Sequence, residues 1–188
     1  MRKKKGEYGY RDGHRKLQLL ITLLLVLAIA AQLLARQFTG NQAAKNILTV
    51  MAILTVLPMA NVASPLLASW KYRTPPQAFY EQVKKYEDRC VILYDSIITS
   101  KDALMPMDAV AVHPTGVYFY CTGRKTDVKK AEEYLNGMLS AQRLDPHAKV
   151  IKEETAFFRR LDSLKPQSEY EDDGSLNCTI SLVKNLSM

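Results

Sequence analysis

Two long runs without a charged residue stand close together near the N-terminus, at positions 17–35 and 46–70. The first holds nine leucines, two isoleucines and one valine. Its nineteen residues make a helix of about 28 Å at the usual rise, the thickness of a bilayer core. It lacks the polar stripe that a helix on a soluble protein keeps. A basic start followed by an apolar core also fits a cleaved signal peptide. The length of this core and the second run behind it argue instead for a retained anchor. The second run contains Pro58, Asn61, Ser64 and Pro65. Proline removes a helix donor and crowds the preceding turn, so a kink is expected near Pro58. The pattern predicts a two-span transmembrane α-hairpin: a basic tail over 1–16, helix 1 over 17–35, a short external loop over 36–45 and helix 2 over 46–70. One cytosolic α/β (α+β) domain follows over 71–188.

Within that domain the periodicity changes from element to element. Thr74-Pro75-Pro76 reads as a helix start, with Thr74 as N-cap and Phe79, Val83 and Tyr86 at helical spacing. Residues 89–100 and 107–113 read as strands. Pro114-Thr115-Gly116 is turn chemistry, and 117–122 is the returning strand of a hairpin. Thr126 or Asp127 can cap a helix whose apolar face is Val128, Ala131, Leu135, Met138 and Leu139. A short strand at 148–152 and a helix at 154–164 follow, the latter with Phe157, Phe158, Leu161 and Leu164 inward. Residues 165–175, with the acidic run 169–173, read as a solvated loop. Leu176, Cys178, Ile180 and Leu182 alternate with polar residues, which predicts a C-terminal strand. A helix with Leu176, Ile180 and Val183 inward also fits.

Charge changes the picture once it is divided. The chain is +7 overall. Residues 1–16 hold seven basic and two acidic residues, and the loop 36–45 holds two basic ones. Residues 71–188 hold seventeen of each sign and are neutral. The whole excess therefore flanks the apolar runs, where it predicts cytoplasmic N- and C-termini in a multi-pass cell (inner) membrane protein. A neutral domain counts against nucleic acid as a partner. Arg15, Lys16, Trp70, Lys71, Tyr72 and Arg73 are the expected membrane-interface anchors. Cys90, Cys121 and Cys178 are widely spaced and form no CxxC pair, so they are expected to be reduced, buried thiols. His14, His113 and His147 do not complete a zinc spacing.

The order α-β-β-β-α-β, with Met107-Asp108-Ala109-Val110-Ala111-Val112 and Gly116-Val117-Tyr118-Phe119-Tyr120-Cys121-Thr122-Gly123, resembles the core of the restriction-endonuclease-like superfamily. Within it, the nuclease-related domain is the closer likeness, over residues 76–152. That resemblance implies a Mg²⁺ site at Asp108, with a second acid and a lysine on the next strand. Here Cys121 and Gly123 stand at those two places, and Arg124 and Lys125 follow. A carboxylate with a thiol suits Mg²⁺ poorly, because Mg²⁺ takes hard oxygen ligands. The resemblance thus implies the fold with degenerate chemistry. A working metal site would need a second carboxylate beside Asp108, for which Glu81, Asp95 and Glu132 are the candidates.

By alternation Asp108 shares a face with Val110 and Val112, where a carboxylate must be paired or hydrogen-bonded. Tyr118, Tyr120 and Thr122 share one face of their strand, with Cys121 on the other. Arg159 and Arg160 read as the solvated side of a helix, and His113 as a turn residue. No phosphate-loop, dinucleotide, nucleophile-elbow or HExxH motif is present. The leading reading is a non-catalytic interaction or regulatory module held at the bilayer, with a protein partner or small ligand and no cofactor. The alternatives are a membrane-tethered, Mg²⁺-dependent nuclease centred on Asp108 and a transporter accessory subunit.

Overall fold

The computed structural model describes residues 3–100, 103–170 and 174–188. The chain divides into two compact units, Asp12–Lys71 and the residues up to Arg11 together with Tyr72–Met188.

The first unit is built by α1 (Tyr10–Phe38) and α2 (Gln42–Ser69), with Tyr10 and Arg11 of α1 counted in the second unit. Both helices are long and apolar enough to cross a membrane. They extend well past the apolar runs, so residues 39–41 connect them rather than 36–45. Asn41 sets the start of α2, its side-chain oxygen accepting from Ala43 N at 2.8 Å. α2 is one continuous helix through Pro58 and Pro65. Polar contacts tie the pair together. Gln32 Nε2 reaches Thr55 Oγ1 at 3.4 Å, and the Arg15 guanidinium lies 4.2 Å over the Trp70 ring.

The second unit is an α+β fold. Its elements run α3 (Gln77–Lys84), β1 (Val91–Thr99), β2 (Leu104–His113), β3 (Gly116–Tyr120), α4 (Val128–Ala141), β4 (Ala148–Ile151), α5 (Glu154–Asp162) and α6 (Ser175–Leu186). A single 3-10 turn spans Gln167–Glu169. Part of the predicted acidic loop, residues 171–173, lies outside the described residues. The sheet order is β1-β2-β3-β4, antiparallel except for the parallel β3–β4 pair joined through α4. Asp127 is the N-cap of α4, accepting from the amides of Lys129 and Lys130.

Each face of the sheet carries its own core. On one, Leu93, Ile98, Met105, Met107, Val110, Phe119 and Cys121 pack with Leu135 and Leu139 of α4 and Val183 of α6. On the other, Ile92, Tyr94, Ala109, Ala111, Tyr118 and Tyr120 pack with Phe79 and Val83 of α3 and Phe157 and Leu161 of α5.

Several expectations are corrected. The predicted C-terminal strand is helix α6, with Thr179 and Val183 buried and Cys178 exposed. Period-2 and period-3.6 patterns coexist there, and burial against the sheet selects the helical one. Cys178 is accordingly not a buried thiol. Thr74 does not cap α3, whose N-cap is Pro76 without a side-chain bond. β2 begins at Leu104 rather than Met107, which places Asp108 inside the strand. Residues 3–11 are not a free basic tail but part of this unit.

Both edges of the sheet are covered. At β1, the Gly6 carbonyl accepts from Tyr94 N at 2.8 Å, and Met188 N donates to Ile97 O at 3.0 Å. Gly6 has φ 90°, a conformation that strains any other residue, and a Cβ there would also lie 2.9 Å from the end of the Leu93 side chain. At β4, two side chains of α4 take the outward amides. Asn136 Oδ1 accepts from Ala148 N at 2.7 Å, and Glu132 Oε1 accepts from Val150 N at 2.9 Å.

Candidate functional site

The most unusual chemistry in the second unit lies where β1 and β2 face each other. Tyr94 pairs with Ala109 and Ser96 with Met107, which sets Asp95 directly across from Asp108. Like charges opposite each other destabilise a sheet, yet Asp95 is 3% exposed and Asp108 4%. The ladder is interrupted at this rung. Asp95 has φ 55°, the left-handed region, in the middle of a strand. The facing pattern also shifts by one residue here. Met105 and Met107 share a core with Val110 and Val112, and Leu93 shares it with Ile98. Strict alternation therefore fails at this rung. Asp108 bonds to Thr122, next along from Tyr118 and Tyr120, rather than lying with Val110 and Val112.

Arg11 fills the gap between the two acids and is itself only 7% exposed. Its Nη1 donates to Asp108 Oδ1 at 3.0 Å and to Arg73 O at 2.6 Å. Nη2 donates to Ser96 O at 3.3 Å and Met107 O at 3.2 Å, one carbonyl on each strand. The guanidinium thus stitches β1 to β2 where the ladder is broken, using the planar fork of donors that lysine lacks. Asp108 Oδ2 accepts from Thr122 Oγ1. Asp95 Oδ2 accepts from Gly9 N at 2.7 Å, Thr74 Oγ1 at 2.8 Å and Arg11 N at 3.4 Å. It thereby satisfies free amides at the start of α1. Asp95 Oδ1 and Arg11 Nε face each other at 4.0 Å and make no hydrogen bond among the described residues. Burial pushes the Asp95 carboxyl above the usual carboxylate range, against the opposing pull of Arg11 and the bonds from Thr74, Arg11 and Gly9.

The Mg²⁺ implied by the nuclease-like resemblance does not fit these residues. A guanidinium lies against Asp108 Oδ1 and a hydroxyl holds Oδ2. Cys121 is buried in the opposite core. Of the three candidate second acids, only Asp95 shares the Arg11 contact. Glu81 accepts from Gln77, and Glu132 is spent on β4. Among the described residues there is no group of three His, Cys, Asp or Glu side chains placed to hold a metal.

The other candidates have structural partners. His113 is buried between Thr115 Oγ1 at 2.7 Å and Lys165 O at 3.1 Å, and burial lowers its pKa below the ordinary histidine value. Arg160 is not merely solvated, since its Nη2 donates to the Tyr118 hydroxyl at 2.5 Å while the guanidinium covers that ring at 4.5 Å. Burial raises the Cys90 thiol to about 12, which makes it inert. Gly123, Arg124 and Lys125 lie in the β3–α4 loop, with both basic residues exposed. Of the expected interface anchors, Arg15 and Trp70 touch each other in the first unit. Lys16 and Lys71 are exposed in that unit. Tyr72 and Arg73 belong to the second unit, where the Arg73 carbonyl accepts from Arg11.

Sequence reasoning missed Arg11, which is one of seven basic residues in the first sixteen. The available signal was the interleaving of Gly6, Tyr8, Gly9 and Tyr10, a composition suited to tight backbone and packing rather than to a solvated tail. Gly6 and Gly9 both have positive φ, and Tyr8 stacks on Tyr80 with ring centroids 4.3 Å apart. No family model, no curated protein and no solved structure matches this chain.

Proposed function

We propose that the chain is an integral membrane protein whose α1 and α2 cross the bilayer as a hairpin. The second unit is a non-catalytic interaction or regulatory module on the cytoplasmic face, serving a protein partner or small ligand. The observation that carries this reading is the apolar surface of the two long helices. Leu24 and Leu27 are each 56% exposed, Ile53 63% and Leu57 64%. Apolar surface of this extent needs a lipid or protein cover. Residues 3–11 pack in one unit with the chain after Lys71, which supports placing both ends of the hairpin on one side. The basic residues at positions 3–5, 15, 16, 71 and 73 support the cytoplasmic side. The filled Arg11–Asp95–Asp108 site supports a role that is structural rather than catalytic.

The test is fractionation followed by topology. The full chain is expected to stay in the membrane pellet through an alkaline carbonate wash. Reporters fused before Met1 and after Met188 are expected to report the cytoplasm in both cases. Release by carbonate, or reporters on opposite sides, would overturn the reading.

A further inference from the structure

The segment 3–11 is bound to the sheet in the way a peptide ligand is bound, by three different kinds of contact. The first is main-chain pairing, since Gly6 forms a bridge with Tyr94 on the edge of β1. The second is aromatic: Tyr8 stacks on Tyr80, sits edge-on to Tyr94 with centroids 6.4 Å apart, and donates its hydroxyl to Pro75 O at 2.8 Å. The third is ionic, as Arg11 enters the space between Asp95 and Asp108. Lys5 adds a bond from Nζ to Ser187 O at 2.7 Å. In the chain this segment is separated from the rest of its unit by sixty residues, Asp12–Lys71, which form a unit of their own. The domain is therefore discontinuous, and among the described residues its buried acids Asp95 and Asp108 are paired with a cation, Arg11, delivered from the far side of the insertion.

We infer that residues 3–11 act as a strap that closes the domain only after α1 and α2 have returned both ends to the same face of the membrane. Folding of the soluble domain is thus conditional on correct insertion. The inference rests on the membrane reading above. With the strap absent, the edge of β1 opens at Tyr94, Tyr80 loses its stacking partner, and Asp95 and Asp108 face each other without a cation. One buried carboxylate left unpaired is costly, and two across one rung repel as well. The strap also explains why a costly, strained rung is kept in the middle of an otherwise apolar sheet. A valine pair there would hold the sheet together with or without residues 3–11.

The test uses the buried thiols of Cys90 and Cys121, 1% and 0% exposed, as reporters of closure, with exposed Cys178 as the internal labelling control. In membranes carrying the full chain, a maleimide is expected to label Cys178 alone. In Arg11→Met, Cys90 and Cys121 are expected to become reactive while the chain still resists carbonate. Adding Asp95→Asn and Asp108→Asn to Arg11→Met removes the charges that need neutralising and is expected to restore protection. Arg11→Met chains that keep Cys90 and Cys121 protected would overturn the strap, and a triple variant that stays reactive would overturn charge neutralisation as its basis. Deleting Gln42–Ser69 puts strap and domain on opposite sides. That chain is expected to be reactive until a peptide of residues 1–16 is added on the domain's side. Protection without the peptide would overturn the dependence on insertion. Carbonate release of the wild-type chain would defeat the membrane reading instead, leaving the cysteine comparison to judge the strap alone.

Discussion

Asp95 shows how much a single backbone torsion can carry. At φ 55° it lies where asparagine and aspartate are the best tolerated residues after glycine. That conformation accompanies the shift in facing along both strands and the opening that Arg11 fills. Asparagine would keep the torsion and the acceptor for Gly9, Thr74 and Arg11. Asp95→Asn is therefore expected to change unfolding free energy by no more than about 1 kcal/mol, whereas Asp95→Ala loses about 2–3 kcal/mol through strain and orphaned donors. Denaturant titration of the detergent-solubilised protein measures both. The two should also differ from wild type in pH response. The folded state holds the Asp95 proton more tightly than the unfolded chain does. Its contribution is thus full at a pH below the ordinary carboxylate value and is lost as pH rises toward the raised one. Asp95→Asn should flatten that part of the pH profile, and an unchanged slope would show that Asp95 is not the group responsible.

Among the elements, α6 is the one in which two periods compete. Leu176, Cys178, Ile180 and Leu182 alternate, while Leu176, Ile180 and Val183 fall on a helical face, and local pattern does not choose between them. The choice is tertiary, because α6 lies against β1 and β2 and buries Val183 to 2%. Val183→Ala is expected to cost about 1–2 kcal/mol and Cys178→Ser less than about 0.5 kcal/mol in a thermal or denaturant melt. A strand would reverse that order. The rest of the domain was legible where local chemistry decides. The Pro114–Gly116 turn marked the β2–β3 hairpin, the cap signal at Thr126 or Asp127 marked the start of α4, where Asp127 is the cap, and the face of Ala131, Leu135 and Leu139 marked its orientation. The centre of the candidate site was half legible. Asp108 stood out as a carboxylate in an apolar strand, but its partner Arg11 lies 97 residues away. No periodicity connects positions across such an insertion. The assumption of strict alternation then placed Asp108 on the wrong face, because a left-handed residue on the neighbouring strand is invisible to a period-2 count.

At the scale of the whole molecule, the two edges of the sheet are closed by different means. The β1 edge is covered by residues from near both termini, and the β4 edge by Asn136 and Glu132. Unpaired strand edges are where sheets of separate molecules join. Replacing both α4 side chains in Glu132→Ala/Asn136→Ala should leave two outward amides unsatisfied, at about 1–3 kcal/mol each. Higher-order species should then appear on native gels, whereas a monodisperse double variant would show that the α4 body alone shields the edge. Proteins tethered to a bilayer diffuse in a plane, share one orientation and meet copies of themselves at local densities that a dissolved protein rarely reaches. Sheet-to-sheet zippering under such crowding would be nearly irreversible. If α1 and α2 hold the domain at a bilayer as proposed, a capped β4 leaves lateral encounters to side chains alone, and neighbouring copies can collide and part again.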